Sequence, residues 1–179
     1  MLKLITEPLN PDFVMAFAVV ADGTITTTDD QLSEDDEAKG LRDAQSKLAE
    51  LLSSAPIGEV IYDLMRVVAR LLLDLHPADP DRPLTDLVEW LAETIAIKSY
   101  QDPSSLELTR HLLYAVLNDG VFSADAAAEL LGGEESPGTR CAIYLSRIAV
   151  GISALMVESD RALGREDVGG DPIRAIVAH

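Results

Sequence analysis

A twenty-residue apolar stretch, Ile57 to His76, most restricts what this chain can fold into. Thirteen of its residues are apolar, and its five charges follow one another at intervals of four, three, four and four: Glu59, Asp63, Arg66, Arg70 and Asp74. On a helix with about 3.6 residues per turn, this spacing puts all five charges on one narrow line and leaves the other faces apolar. The pattern predicts the central helix of a fold, covered by neighbours on most of its circumference. Charges along its whole length argue against a membrane span.

Sequence signals for the start and end of helices occur on both sides of this stretch. A polar capping residue followed by proline, a typical helix start, occurs at residues 10–11, 102–103, 136–137 and 171–172. Glycines follow several of the predicted helices, where a left-handed C-terminal residue is needed. The sequence therefore predicts an all-α fold. We expect a single domain over residues 1–179, a compact irregular bundle of seven or eight helices around the central helix 57–76.

The first thirty residues leave one alternative open. Residues 1–9 are apolar enough to lie on the core as an extended segment, and Asn10-Pro11-Asp12 predicts a helix that runs to about residue 21. However, Asp22-Gly23 stands between two segments rich in β-branched residues, which is a strong hairpin signal. The alternative fold is the same bundle with a short β-hairpin at residues 13–28.

Net charge restricts the partners of the chain. It carries 31 acidic and 14 basic residues, a formal net charge of −17. Such a field repels nucleic-acid phosphates and anionic lipids, so we expect no direct nucleic-acid or membrane binding and a basic protein as partner. Self-association of the chain stays open. The single cysteine, Cys141, rules out an intramolecular disulfide, and we expect a cytoplasmic location.

The densest group of acidic residues lies between residues 29 and 37. This acidic patch has six carboxylates in nine residues and no base: Asp29, Asp30, Glu34, Asp35, Asp36 and Glu37. Acids are stabilised at a helix N-terminus, so a solvated helix start explains the patch most simply. The alternatives are a docking surface for a basic protein and a site for a hard cation. The spacing does not fit an EF-hand loop, because Thr27 and Ser33 stand where its glycine and glutamate belong.

Motifs for catalysis, cofactors or metals are missing from the sequence. It has no phosphate-binding glycine loop, and none of the three histidines has a partner at metal-ligand spacing. We therefore predict no catalytic, cofactor or metal residues, and a core position for Cys141. The acidic pairs Glu59–Asp63 and Glu89–Glu93 are expected to face water.

These observations favour a non-catalytic, acidic, helical protein-interaction or regulatory domain. A narrower form of this hypothesis is an inhibitor, encoded by a phage or a bacterium, that occupies the basic nucleic-acid-binding surface of a partner protein. The alternative is a helical enzyme or metal-binding protein whose carboxylates come together only in the fold.

Overall fold

The computed structural model describes residues 1–14, 16–18, 34–75, 83–99, 103–118 and 137–162. About 90% of this part of the chain is helical; it contains seven helices and no strand, which confirms the all-α prediction. The helices are α1 (Leu2–Thr6), α2 (residues 11–14 and 16–18), α3 (Glu34–Ser54), α4 (Ile57–Leu75), α5 (Leu84–Ser99), α6 (Pro103–Leu117) and α7 (Pro137–Ala162). The predicted helix start at residues 171–172 lies outside the described residues.

Helix α4 is the centre of the bundle, as its apolar circumference predicts. It packs most extensively against α7, and also contacts α1, α3 and α6. Its buried side chains include Leu64, Val68, Leu71 and Leu72. The buried side chains of α7 include Cys141, Leu145, Ile148 and Ile152, whereas Tyr144 and Leu155 are partly buried. Over Gly138–Val157, α7 is long and apolar enough to cross a membrane, but half of this segment is buried inside the bundle, as in a core helix.

The residues after Asn10 are helical, which decides between the predicted helix and the alternative β-hairpin at residues 13–28. The backbone amide of Asp12 donates to Oδ1 of Asn10 at 2.9 Å, so Asn10 caps α2 as predicted. Within α2 the rings of Phe13 and Phe17 stack at a centroid distance of 5.8 Å, one helical turn apart. The hairpin alternative is therefore wrong for residues 13, 14 and 16–18; residues 15 and 19–28 lie outside the described part.

The expected extended segment at residues 1–9 is also wrong for residues 2–6, because Leu2–Thr6 forms α1; the backbone of Glu7 is extended. A five-residue helix is too short to be stable by itself, so tertiary contacts must hold it. Leu4 is fully buried in the core. On α4, Nη2 of Arg70 donates to the backbone oxygens of Glu7, at 2.9 Å, and of Ile5, at 3.5 Å. A cationic side chain at the C-terminal end of α1 satisfies carbonyls that lack partners within the helix.

Two glycines near helix starts allow a matched test of the packing between α4 and α7. A Cβ added at Gly138 would lie 3.0 Å from Cγ1 of Ile57, whereas one added at Gly58 would meet nothing within 4 Å. We expect Gly58→Ala to raise the free energy of unfolding by up to about 1 kcal/mol, because alanine has the better helix propensity. We expect Gly138→Ala to give a clearly smaller increase in the free energy of unfolding, since Ile57 must shift to admit the methyl group. Urea unfolding of both variants measures the difference; equal gains would contradict the close contact of these two helix starts.

Candidate functional site

The five charges of α4, which we call the α4 charged seam, run from its exposed first turn through the interior of the bundle. Glu59 at one end and Asp74 at the other are exposed. Between them, Asp63 is 8% and Arg66 6% exposed. The expectation that Glu59 and Asp63 both face water is therefore right for Glu59 and wrong for Asp63. Asp63 can be buried because its Oδ1 accepts a hydrogen bond from Nη1 of Arg66 at 2.6 Å, one helical turn away.

The buried pair has a defined electrostatic environment. Burial raises the pKa of the Asp63 carboxyl above its usual range; the charge of Arg66 opposes this effect and that of Glu59 adds to it. The Arg66 guanidinium also lies over the ring of Tyr62, with Cζ 5.6 Å from the ring centroid. Two residues thus fix its orientation, Asp63 at one nitrogen and Tyr62 at one face.

The seam also joins α4 to α1. Next to the contacts that Arg70 makes with α1, the Tyr62 hydroxyl donates to Oε2 of Glu7 at 2.9 Å. Burial lowers the pKa of Arg70, and the nearby charge of Arg66 lowers it further. The positive charges of Arg66 and Arg70 are therefore close enough to interact.

A second polar group joins α5 to α6. Glu89 uses both carboxylate oxygens: Oε1 accepts from the Tyr114 hydroxyl at 2.8 Å, and Oε2 accepts from Nε of Arg110 at 2.8 Å. The hydrogen bond from Tyr114 and the interaction with Arg110 lower the pKa of Glu89 below its usual value. The group lies at the rim of the bundle, where it fixes the two helices relative to each other. Both Glu89 and Glu93 were expected to face water: Glu93 is exposed, whereas Glu89 is partly buried and bonded to α6.

Other residues singled out in the sequence have these positions. Residues 34–37 form the first turn of α3, so four of the six residues of the acidic patch begin a helix; Asp29 and Asp30 lie outside the described residues. Cys141 is buried, as predicted, and burial raises the pKa of its thiol to about 11, which keeps it protonated at neutral pH. His111 is exposed, with Nδ1 2.8 Å from the Glu107 backbone oxygen; His76 and His179 lie outside the described part.

Metal ligands do not converge in the part of the chain that the structure describes: it contains no group of three or more His, Cys, Asp or Glu side chains able to hold an ion. The arrangement that the sequence did not predict is the buried Asp63–Arg66 pair. Its signal is an i,i+3 pair of opposite charges flanked on both sides by large apolar residues, in the segment DLMRVV.

Comparison of the chain with protein-family models, with curated proteins and with solved structures finds no match.

Proposed function

We propose that this chain is a non-catalytic, acidic helical domain that acts by binding a protein partner with a basic surface. The observation that carries the proposal is the negative charge of the exterior. Among the described residues whose exposure is defined, the exposed acids outnumber the exposed bases by eight to four: Asp12, Asp43, Glu50, Glu59, Asp74, Asp86, Glu93 and Glu107 against Lys3, Lys39, Arg42 and Arg147. Two of the basic residues that are not exposed instead hold helices together, as Arg70 and Arg110 do, and Arg66 is paired within α4.

The acidic patch is the docking surface that we propose. Its residues 34–37 begin α3, and the patch contains no basic residue that would cancel its charge. A partner with a nucleic-acid-binding surface presents the complementary charge, so the narrower proposal is an inhibitor that occupies such a surface. Charge complementarity of this kind chiefly accelerates association.

Salt dependence tests the proposal once affinity capture has provided a binding partner. We expect the association rate constant to fall at least several-fold between 50 and 300 mM salt, because ions screen exposed charges over about 8–10 Å at physiological ionic strength. Dissociation should change less. Surface plasmon resonance at the two salt concentrations measures both rates.

A pair of charge-matched variants locates the surface. In the first, the six residues of the acidic patch become Asn or Gln. In the control, six other acids are neutralised in the same way: Asp43, Glu50, Glu59, Asp74, Asp86 and Glu93. We expect the patch variant to lose more of the association rate than the control. Equal losses would mean that the overall charge steers the partner. Salt-insensitive binding that is lost on replacing the exposed Trp90 or Leu73 with alanine would contradict the proposal and point to an apolar contact.

A further inference from the structure

Only some of the nitrogen atoms of the Arg66 guanidinium have a hydrogen-bond partner. An arginine guanidinium is planar and has five N–H groups. Its Nη1 donates to Asp63 and its face lies on the Tyr62 ring. Neither Nε nor Nη2, both of them buried, meets a hydrogen-bond acceptor among the described residues. Buried polar groups nearly always have a partner, and charged donors most of all.

The two nitrogens form one recognition element. Nε–H and one N–H of Nη2 are parallel and lie on the same side of the guanidinium, which we call the side-on edge of Arg66. Their spacing matches two oxygens of one carboxylate or phosphate group, the bidentate geometry that arginine favours. The contacts with Asp63 and Tyr62 hold this edge in place before any ligand arrives, so little order has to be gained on binding.

The charges around the edge favour an anion. Arg70 lies close enough to Arg66 for their charges to interact; Arg66 is buried and Arg70 is partly buried. Asp63 partly balances the charge of Arg66, but it accepts from Nη1 and not from the side-on edge; Glu7 accepts from the Tyr62 hydroxyl. An oxyanion at the side-on edge would therefore meet two N–H donors that no carboxylate of the described residues uses, with the charge of Arg70 nearby.

We propose that the side-on edge of Arg66 binds a small oxyanion, a carboxylate or a phosphate group, beside α4. Only 6% of Arg66 is exposed, so a side chain of a docked protein cannot reach the side-on edge from outside. The ligand must therefore be small. The site is separate from the acidic patch and does not depend on the proposed protein-binding function.

Thermal unfolding at constant ionic strength is the first test, with sodium acetate and inorganic phosphate as probes and chloride as the balancing anion. We expect one of them to raise the melting temperature in proportion to the logarithm of its concentration above Kd, by about 5–10 °C at a concentration 100 times its Kd. Arg66→Lys keeps the positive charge but has no side-on edge, so this shift should disappear. Arg42→Lys, at an exposed position of α3, is the matched control and should keep it.

A second measurement does not depend on any variant folding. The Nε–H of arginine gives its own signal in a ¹H–¹⁵N correlation spectrum. The Arg66 signal should move saturably, with a Kd that agrees with the one calculated from the concentration dependence of the thermal shift. If neither probe moves this signal or the melting temperature, the proposal is wrong, and buried water satisfies the edge instead. An undiminished thermal shift in Arg66→Lys would also overturn it. A response to acetate alone or to phosphate alone identifies the ligand class.

Discussion

Replacing Leu64 or Val68 with aspartate will unfold the protein. Both side chains are fully buried on α4, in the main core. The change removes roughly 1.5–3 kcal/mol of apolar burial and places a carboxylate where it has no partner, at a cost of several kcal/mol more. The sum is comparable with the whole stability of a domain, about 5–15 kcal/mol. Circular dichroism at 222 nm and thermal melting measure the loss of helix.

Leu73→Asp is the matched control for this prediction. Leu73 lies on the same helix but is 43% exposed, so its replacement should cost no more than about 1 kcal/mol. If Leu64→Asp melts like the wild-type protein, α4 is not the centre of the bundle. If Leu73→Asp unfolds the protein as well, the unfolding by Leu64→Asp reflects a general intolerance of α4 to acidic residues and not the burial of Leu64.

The second large effect concerns the buried ion pair. We expect Asp63→Ala to lower the free energy of unfolding by about 3–5 kcal/mol, because it leaves the Arg66 charge buried without a counter-charge. Replacing both residues, as Asp63→Leu with Arg66→Met, should restore stability to within about 1 kcal/mol of wild type or exceed it, because neither desolvated charge remains. Urea unfolding measures all three proteins.

The exposed ion pair Lys47–Glu50, with the same i,i+3 spacing and an N–O distance of 2.5 Å, provides the control. Glu50→Ala should cost at most about 1 kcal/mol, since water screens this pair. A loss for Asp63→Ala as small as that for Glu50→Ala would show that water reaches the Asp63–Arg66 pair.

The pH dependence of the single variants separates the two charges. In Arg66→Met, Asp63 loses the group that opposes the effect of burial, so its folded-state pKa rises further above the unfolded value. Stability that depends on a raised carboxyl pKa is fully present below the unfolded pKa and is lost as pH rises through the folded pKa. Arg66→Met should therefore recover part of its deficit relative to wild type as pH falls from 7 towards 4. Asp63→Ala should not, because a guanidinium does not lose its proton in this range.

Sequence reasoning predicted the long helices well because their ends have strong local signals. The prolines at 103 and 137 start α6 and α7, and the predicted span 57–76 matches α4 to within one residue. The helix α1 has no such signal, since its five residues are too few to show a periodic pattern. Contacts from Arg70, more than sixty residues along the chain, hold it in place, and no local pattern indicates such a contact.

The candidate site was harder to predict for a related reason. Spacing places the five charges of the seam on one line, but only the packing of the other helices decides which part of that line is covered. Burial of Asp63 and Arg66 is therefore a tertiary property. The acidic patch is visible from composition, and its role in binding stays a prediction that the association rates will test.

The central position of α4 has a consequence during synthesis on the ribosome. Its principal partner, α7, ends at residue 162, which is 87 residues after α4 ends at residue 75. At roughly 5–20 residues per second, α4 emerges about 4–17 s before α7 is complete. For that time its apolar face lacks the helix that covers it most. We expect the nascent chain to bind chaperones that recognise exposed apolar segments during this time. Ribosome profiling of chaperone-bound nascent chains should show that chaperone binding begins after α4 emerges and ends once α7 has emerged.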